Sequence, residues 1–230
     1  MARLGRYFIP GLPLHVVQRG NDRRAIFFAP ADYERYQEWL HAASAASGCA
    51  IHAYALLQNQ VHLLVTPRNE SSLPKTMQSL GRRYVRHVNA AYGRSGTLWE
   101  GRYHATLIEA EAHLFDCMRY IELAAVRAKL AAHPDEYRWS SYGSNALGNY
   151  DPLVKPHPLY VDLAKNPLQR QRAYRALYDR KLTEEFIAAL RAATKGGWPL
   201  GSDRFKQKVA LALGRRVVPL SKGRPPRSGT

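Results

Sequence analysis

The chain contains 230 residues and carries a formal net charge of +16, because its 34 Lys and Arg outnumber its 18 Asp and Glu. A hydrophobic share of 46% excludes a wholly disordered chain, and no apolar run is long enough to span a membrane. The N-terminus lacks the apolar core of a secretory signal, and two distant cysteines cannot form a disulfide scaffold or a four-cysteine zinc site. We therefore expect a reduced, cytoplasmic protein, and the charge excess favours nucleic acid as its partner.

The first part of the chain alternates between strand and helix patterns. In chain order we predict a strand over 13–19, a helix from Pro30 to about Gly48, strands over 50–57 and 61–66, a helix from Ser71 to about Tyr92, a strand over 102–109 and a helix over 111–131. This order predicts an α+β fold, a ferredoxin-like split βαβ antiparallel sheet with helices on one face.

The composition changes after residue 147, which we take as the end of the first domain, 1–147. Residues 148–158 contain three prolines and are predicted to form a linker. A helical C-terminal extension is expected over 159–213, with helices near 168–178, 183–194 and 202–213. Residues 214–230 contain several arginines and no acid, so a flexible basic tail is expected there.

The tripeptide Gln60-Val61-His62 places two polar side chains on one face of a predicted strand, because alternate residues of a strand point the same way. Such a pair can hold a metal ion, although an amide oxygen is a weaker ligand than an imidazole and suits only a hard cation. By itself the tripeptide is far more often a polar pair at the end of a hairpin, without any metal.

Tyr120 lies in a predicted helix, where most tyrosines are core residues with a tethered hydroxyl. The phenol is a weak nucleophile at neutral pH, and it would need a cation and a polarised phosphate to attack phosphorus. The residue four positions later lies beside it on the helix, but Ala124 offers no ligand there.

Several segments together resemble the REP-associated tyrosine transposases, bacterial relatives of the HUH single-tyrosine transposases. The matching segments are 15–21 (HVVQRGN), 54–65 (YALLQNQVHLLV), 96–103 (GTLWEGRY), 120–123 (YIEL), 126–128 (VRA), 137–142 (YRWSSY), 213–216 (LGRR) and 222–225 (KGRP). They follow the family order over nearly the whole chain, with a degenerate metal motif.

The resemblance implies a specific activity. Members bind single-stranded DNA hairpins of palindromic repeats, hold a divalent ion with a His-hydrophobic-His pair, and attack the scissile phosphate with a helical tyrosine. By position, Tyr120 would be the nucleophile and His62, with Gln60, the metal site. The family has His where this chain has Gln60, and usually Asn-Pro where it has Ala124-Ala125. A divalent metal such as Mg²⁺ or Mn²⁺ is therefore expected to bind weakly or to be lost.

Basic and aromatic residues are the candidates for DNA contact. The segment from 71 to 103 holds six Lys or Arg and one acid, a density that is costly without a polyanion. Of the aromatic residues Tyr84, Tyr92, Trp99 and Tyr103 in this segment, some are expected in the core and one or two are expected to stack on unpaired bases. The tail is similar to minor-groove hooks built on Gly-Arg-Pro. The predicted DNA-binding residues are Arg19, Asn21, Lys75, Arg82, Arg83, Arg86, Trp99, Arg102, Arg215, Arg216, Lys222 and Arg224.

Two functions therefore remain open. The first is a metal-dependent tyrosine transposase that nicks and rejoins single-stranded DNA at palindromic repeats through a 5′-phosphotyrosine intermediate. The second is a catalytically decayed relative that binds hairpin DNA or RNA. Either would act as a monomer or homodimer at the bacterial nucleoid, away from membranes.

Overall fold

A computed structural model of the chain describes residues 5–219. Four strands form one sheet, in which every neighbouring pair is antiparallel and the strand order is β2-β3-β1-β4. The strands are β1 (Leu14–Arg19), β2 (Cys49–Leu57), β3 (Gln60–Pro67) and β4 (His104–Leu107). The predicted α+β class, the antiparallel sheet and the chain order of strands and helices are confirmed.

Helices α1 (Pro30–Ser47) and α2 (Ser72–Ala91) cover one face of the sheet. Pro30 occupies the first turn of α1, where its missing N–H costs nothing, and Gly48 ends the helix with a φ of 67°. The buried side of α2 is formed by apolar residues that recur every three or four positions, namely Leu73, Met77, Leu80, Tyr84 and Val88. These residues pack with α1 against the sheet in a continuous core.

The opposite face of the sheet is also covered, so the prediction of helices on one face only is wrong. Helix α3 (Ala110–Glu122) packs there against β2 and β3, and α8 (Glu184–Gly196) packs against β1 and β4. The reason lies in β2 and β3, whose side chains are buried along nearly their whole length, so that both faces need a cover. The remaining helices are α4 (Ala124–Arg127), α5 (Tyr142–Leu147), α6 (Pro158–Val161), α7 (Pro167–Ala176) and α9 (Asp203–Leu213).

The predicted helix over 111–131 is in fact two helices, because α3 ends at Glu122 and the chain turns at Leu123 before α4. Within the predicted linker, Leu153 and Val154 are buried, and Val154 pairs with Ile51 of β2. The division into domains stays a prediction. No helix within residues 5–219 is long and apolar enough to cross a membrane.

A substitution at Leu64 tests whether helices cover the second face of the sheet. The Leu64 side chain on β3 is fully buried in the core beneath α3, so Leu64→Ala should lower the free energy of unfolding by about 2–5 kcal/mol. The control is Leu211→Ala, at a side chain on α9 that is 84% exposed, which should change stability by less than about 0.5 kcal/mol. Chemical denaturation measures both values, and equal small losses would contradict the arrangement.

Candidate active site

The alternation of side chains along β1 and β3 builds a polar site on the face beneath α3 and α8. Val16 and Leu63 point into the core under α1 and α2, so their neighbours point the other way. The two strands pair Val17 with His62 and Arg19 with Gln60. His15, Arg19, Gln60 and His62 therefore lie together on one side of the sheet, where they line a cleft.

Two histidines form the floor of this cleft. The Nε2 atom of His15 lies 3.2 Å from Nδ1 of His62, and its Nδ1 atom lies 3.2 Å from the hydroxyl of Thr194 on α8. Burial, followed by the charge of Arg127, lowers the pKa of His15 to about 3. Burial, followed by the neighbouring His15, also holds the pKa of His62 well below its usual range. Both imidazoles are therefore neutral at physiological pH.

Tyr120 on α3 faces this pair of imidazoles. The centre of its ring lies 5.9 Å from that of His15 and 6.0 Å from that of His62, with near-perpendicular planes. The guanidinium carbon of Arg127 lies 3.8 Å from the centre of the tyrosine ring, and Nε of Arg191 lies 3.5 Å from its hydroxyl. The structure thus brings together the tyrosine and the histidine that the sequence analysis singles out.

The cleft has a volume of about 840 Å³ and is strongly cationic. Among the described residues that line the cleft, Glu100 is the only acidic one. Five are Arg or Lys, namely Arg19, Arg23, Arg127, Arg191 and Lys195. The sequence analysis gives a role to Arg19 alone among these five. Arg127 lies seven positions after Tyr120 and belongs to a matching segment, which is a usable signal. Nothing in the sequence connects Arg191 with the tyrosine.

The side chains around His62 do not fit a divalent cation. The Gln60 side-chain oxygen accepts a hydrogen bond from Nε of Arg19 at 3.3 Å, and His62 shares one ring nitrogen with His15. Ala124 lines the cleft where a further ligand would stand, and offers only a methyl group. Within residues 5–219, no three His, Cys, Asp or Glu side chains are placed to share a metal ion. The surrounding arginines would also repel a cation.

Comparison with known proteins gives this geometry a context. The profile of the family described as "Transposase IS200 like" matches residues 9–124, half of the chain. The chain belongs to the IS200-like transposase family. No curated protein matches its sequence significantly.

Solved structures extend the comparison to the fold of this family member. A REP-associated tyrosine transposase bound to a REP hairpin superposes with a TM-score of 0.55 at 16% identity, covering 67% of this chain and 92% of that one. A candidate transposase of Deinococcus radiodurans R1 gives a TM-score of 0.36 at 20% identity, covering 53% and 96%. The first likeness shows that the two proteins share a fold.

The basic residues of α2 lie away from the cleft, on the other side of the sheet. Lys75, Arg82, Arg83 and Arg86 are all exposed there, and the Arg83 guanidinium lies 4.9 Å from the ring centre of Trp39 on α1. The family member therefore carries two separate basic surfaces, the cleft and the outer side of α2.

The other predicted DNA contacts are scattered. Arg102 is exposed and Asn21 half-buried, whereas Trp99 is only 8% exposed and packs near Tyr84 in the core. A stacked base would require the Trp99 ring to leave this packing, and the DNA contact of Trp99 stays a prediction.

The predicted contacts near the C-terminus divide between described and undescribed residues. The Arg215 guanidinium lies 3.8 Å from the ring centre of Tyr7, and that of Arg216 lies 5.6 Å from the ring of Trp198. Neither arginine is among the residues that line the cleft. Lys222 and Arg224 lie outside the described residues.

A buried carboxylate anchors the helix that carries the tyrosine. Glu122, the last residue of α3, accepts hydrogen bonds from Ser141 at 2.6 Å, Asn145 at 2.8 Å and the Tyr174 hydroxyl at 2.7 Å, and from Tyr178 as well. Burial raises the pKa of Glu122, although these hydrogen bonds oppose the rise. The carboxylate thus ties α3 to α5 and α7 in this family member.

Glu122→Gln should change how stability depends on pH. Above the usual glutamate pKa of 4.5, the folded protein keeps a proton on Glu122 that the unfolded chain has lost. The free energy of unfolding therefore falls as pH rises through the raised pKa, and the glutamine variant should gain stability relative to wild type over that window. Denaturation from about pH 4 to about pH 8 measures the difference. Glu185→Gln, at an exposed position of α8, is the control, and a pH-independent difference for both variants would contradict the assignment.

Proposed function

We propose that this chain binds hairpins of single-stranded DNA, and that Tyr120 nicks and rejoins one strand through a phosphotyrosine link. The observation that supports it most is the position of the Tyr120 ring, 6.0 Å from that of His62, at a cleft whose charged side chains are mostly arginines. Membership of a transposase family and a fold shared with a hairpin-bound relative support the same proposal. A cytoplasmic, nucleoid-associated location and a monomeric or homodimeric state remain predictions.

The proposed reaction is a transesterification. The Tyr120 hydroxyl oxygen attacks phosphorus, the bond from phosphorus to the 3′ oxygen breaks, and the proton lost by the phenol ends on the released 3′-hydroxyl. The energy of the ester is kept in the 5′-phosphotyrosine bond, so the reverse attack by a 3′-hydroxyl rejoins a strand without a cofactor. The imidazoles and α3 fix the phenol, while the basic residues attract the phosphate backbone.

A second candidate is a decayed relative that binds hairpins without cutting them. The hydrogen bond from Arg19 to Gln60 and the methyl group of Ala124 favour it, because they occupy the positions at which the family resemblance implies metal ligands. Hairpin RNA is then an equal substrate for binding.

Tyr120→Phe separates the two candidates. A hairpin selected for binding from a randomised single-stranded DNA library, hereafter the selected hairpin, is incubated with the protein and analysed on a denaturing gel. Wild type should form a covalent adduct and the phenylalanine variant none, because only the attacking oxygen is removed. The dissociation constant for the selected hairpin should change by less than about threefold, since the ring and its packing remain.

Two results would contradict the enzyme. An adduct that persists in Tyr120→Phe would place the nucleophile elsewhere. Tight binding without any adduct, even in Gln60→His with Ala124→Asn, would favour the decayed binding protein. A failure to select any hairpin would contradict both candidates.

The exposed side of α2 is proposed as a second contact with DNA, for the part of the strand that does not enter the cleft. Its arginines carry no acidic partner among the ion pairs of the described residues. Contacts of this kind position the nucleic acid without reading its sequence.

Replacement of Arg82, Arg83 and Arg86 by Gln should lower the slope of log affinity against log salt concentration by about 2 to 3, because each lost phosphate contact removes about 0.7 to 0.9. The control replaces three exposed basic residues of the C-terminal helical region, Arg172, Lys181 and Lys208, by Gln. Fluorescence anisotropy of the selected hairpin over a salt series measures the slopes. Equal slopes for both triple variants would contradict the contact.

A further inference from the structure

Helix α8 completes the cleft although it lies beyond the part of the chain that matches the family. The match ends at residue 124, and α8 begins at Glu184. From α8, Thr194 contacts the ring of His15, and Arg191 and Lys195 line the cleft beside Tyr120. Neither the family match nor the segments that carry the resemblance include these residues.

Two guanidinium groups contact Tyr120, one at its hydroxyl and one over its ring. Nε of Arg191 lies 3.5 Å from that hydroxyl, and Arg127 stacks over the ring at 3.8 Å. Nη1 of Arg127 is buried and has no hydrogen-bond partner within residues 5–219. Buried donors are rarely left unpaired, and an anion that binds between two positive groups of one cleft is stabilised by both of them. The arrangement suits a phosphate, which guanidinium groups bind through paired hydrogen bonds.

We propose that Arg127 and Arg191 bind the DNA phosphate that Tyr120 attacks and neutralise its charge, so that strand cleavage requires no divalent cation. The proposal rests on the function proposed above and assigns to two arginines the charge that the family resemblance implies for a metal. It also accounts for the unsuitable donors at His62, because that position then needs no ligand.

The proposed cleavage step needs no reactant other than Tyr120 and the DNA strand. The bond from the Tyr120 oxygen to phosphorus forms as the bond from phosphorus to the 3′ oxygen breaks, and one proton passes, through solvent, from phenol to the released hydroxyl. Fixed positive groups beside the oxygens that gain charge stabilise the transition state more than the bound substrate. Arg127 and Arg191 are therefore catalytic residues in this proposal, and Thr194 positions His15.

The experiment uses the full chain, the selected hairpin and a chelator. Wild-type protein treated with excess EDTA should form the covalent adduct at a rate within about twofold of the rate with Mg²⁺ or Mn²⁺. Arg191→Met should slow adduct formation by about 100-fold in EDTA, while the dissociation constant of the selected hairpin rises only a few-fold. Arg191→Lys should recover part of the rate, because it restores the charge without the paired donors.

Matched variants keep the test decisive. Arg172→Met, at an exposed position of α7 outside the cleft, should leave the adduct rate unchanged. Arg191 is itself exposed, so its substitution leaves the fold intact, and Arg127→Met provides a second, independent removal of charge. Circular dichroism verifies that each variant is folded.

The possible failures are distinguishable. An adduct that forms only with Mg²⁺ or Mn²⁺ would overturn the inference and leave Tyr120 as the nucleophile. An adduct in EDTA whose rate is the same in Arg191→Met and Arg127→Met would also overturn it. No adduct in either buffer would overturn both the inference and the proposed strand cleavage.

Discussion

The contact between His15 and His62 is the constraint on which the rest of the site depends. It joins neighbouring strands on the face beneath α3 and α8, at 3.2 Å between ring nitrogens. Because both rings are buried and neutral, the sheet presents imidazoles to Tyr120 without adding charge to a cleft that is already cationic. The same contact uses one nitrogen of His62, and Thr194 on α8 takes the far side of His15. The imidazole pair is thus in contact with α8 through Thr194.

The docking of α8 on these imidazoles also determines which basic residues line the cleft. Since α8 docks on the imidazole pair, it carries Arg191 and Lys195 to the tyrosine, while α3 and α4 bring Tyr120 and Arg127. Glu122 fixes the end of α3 by hydrogen bonds to α5 and α7, so the C-terminal helices also determine where the tyrosine stands. The second basic surface, on α2, lies across the sheet. A strand of DNA that contacts both surfaces must pass around an edge of the sheet.

Local patterns in the sequence predicted the order of strands and helices, whereas the pairing of Tyr120 with His62 was implied by the family resemblance. Alternation places His62 on its face, and helical spacing identifies α1 and α2. Long-range contacts were not predictable in this way, because Arg191 meets Tyr120 only through the docking of α8. The helices on the second face were missed for the same reason, although the continuous apolar runs of β2 and β3 already required two covers. The burial of Trp99 was not predictable, because an aromatic residue in a basic segment has the same sequence pattern in the core as at a surface.

The central claim concerns where a DNA phosphate lies relative to Tyr120 and the two arginines. A crystal structure of the Tyr120→Phe variant with the selected hairpin, grown in chelator, tests it most directly, since the substitution stops cleavage and preserves the ring. The account predicts a phosphate within hydrogen-bond distance of Arg127 and Arg191, with its phosphorus in front of the missing hydroxyl. A strand that runs along α2 and leaves the cleft without a phosphate, or a phosphate held at His62 away from both arginines, would contradict it.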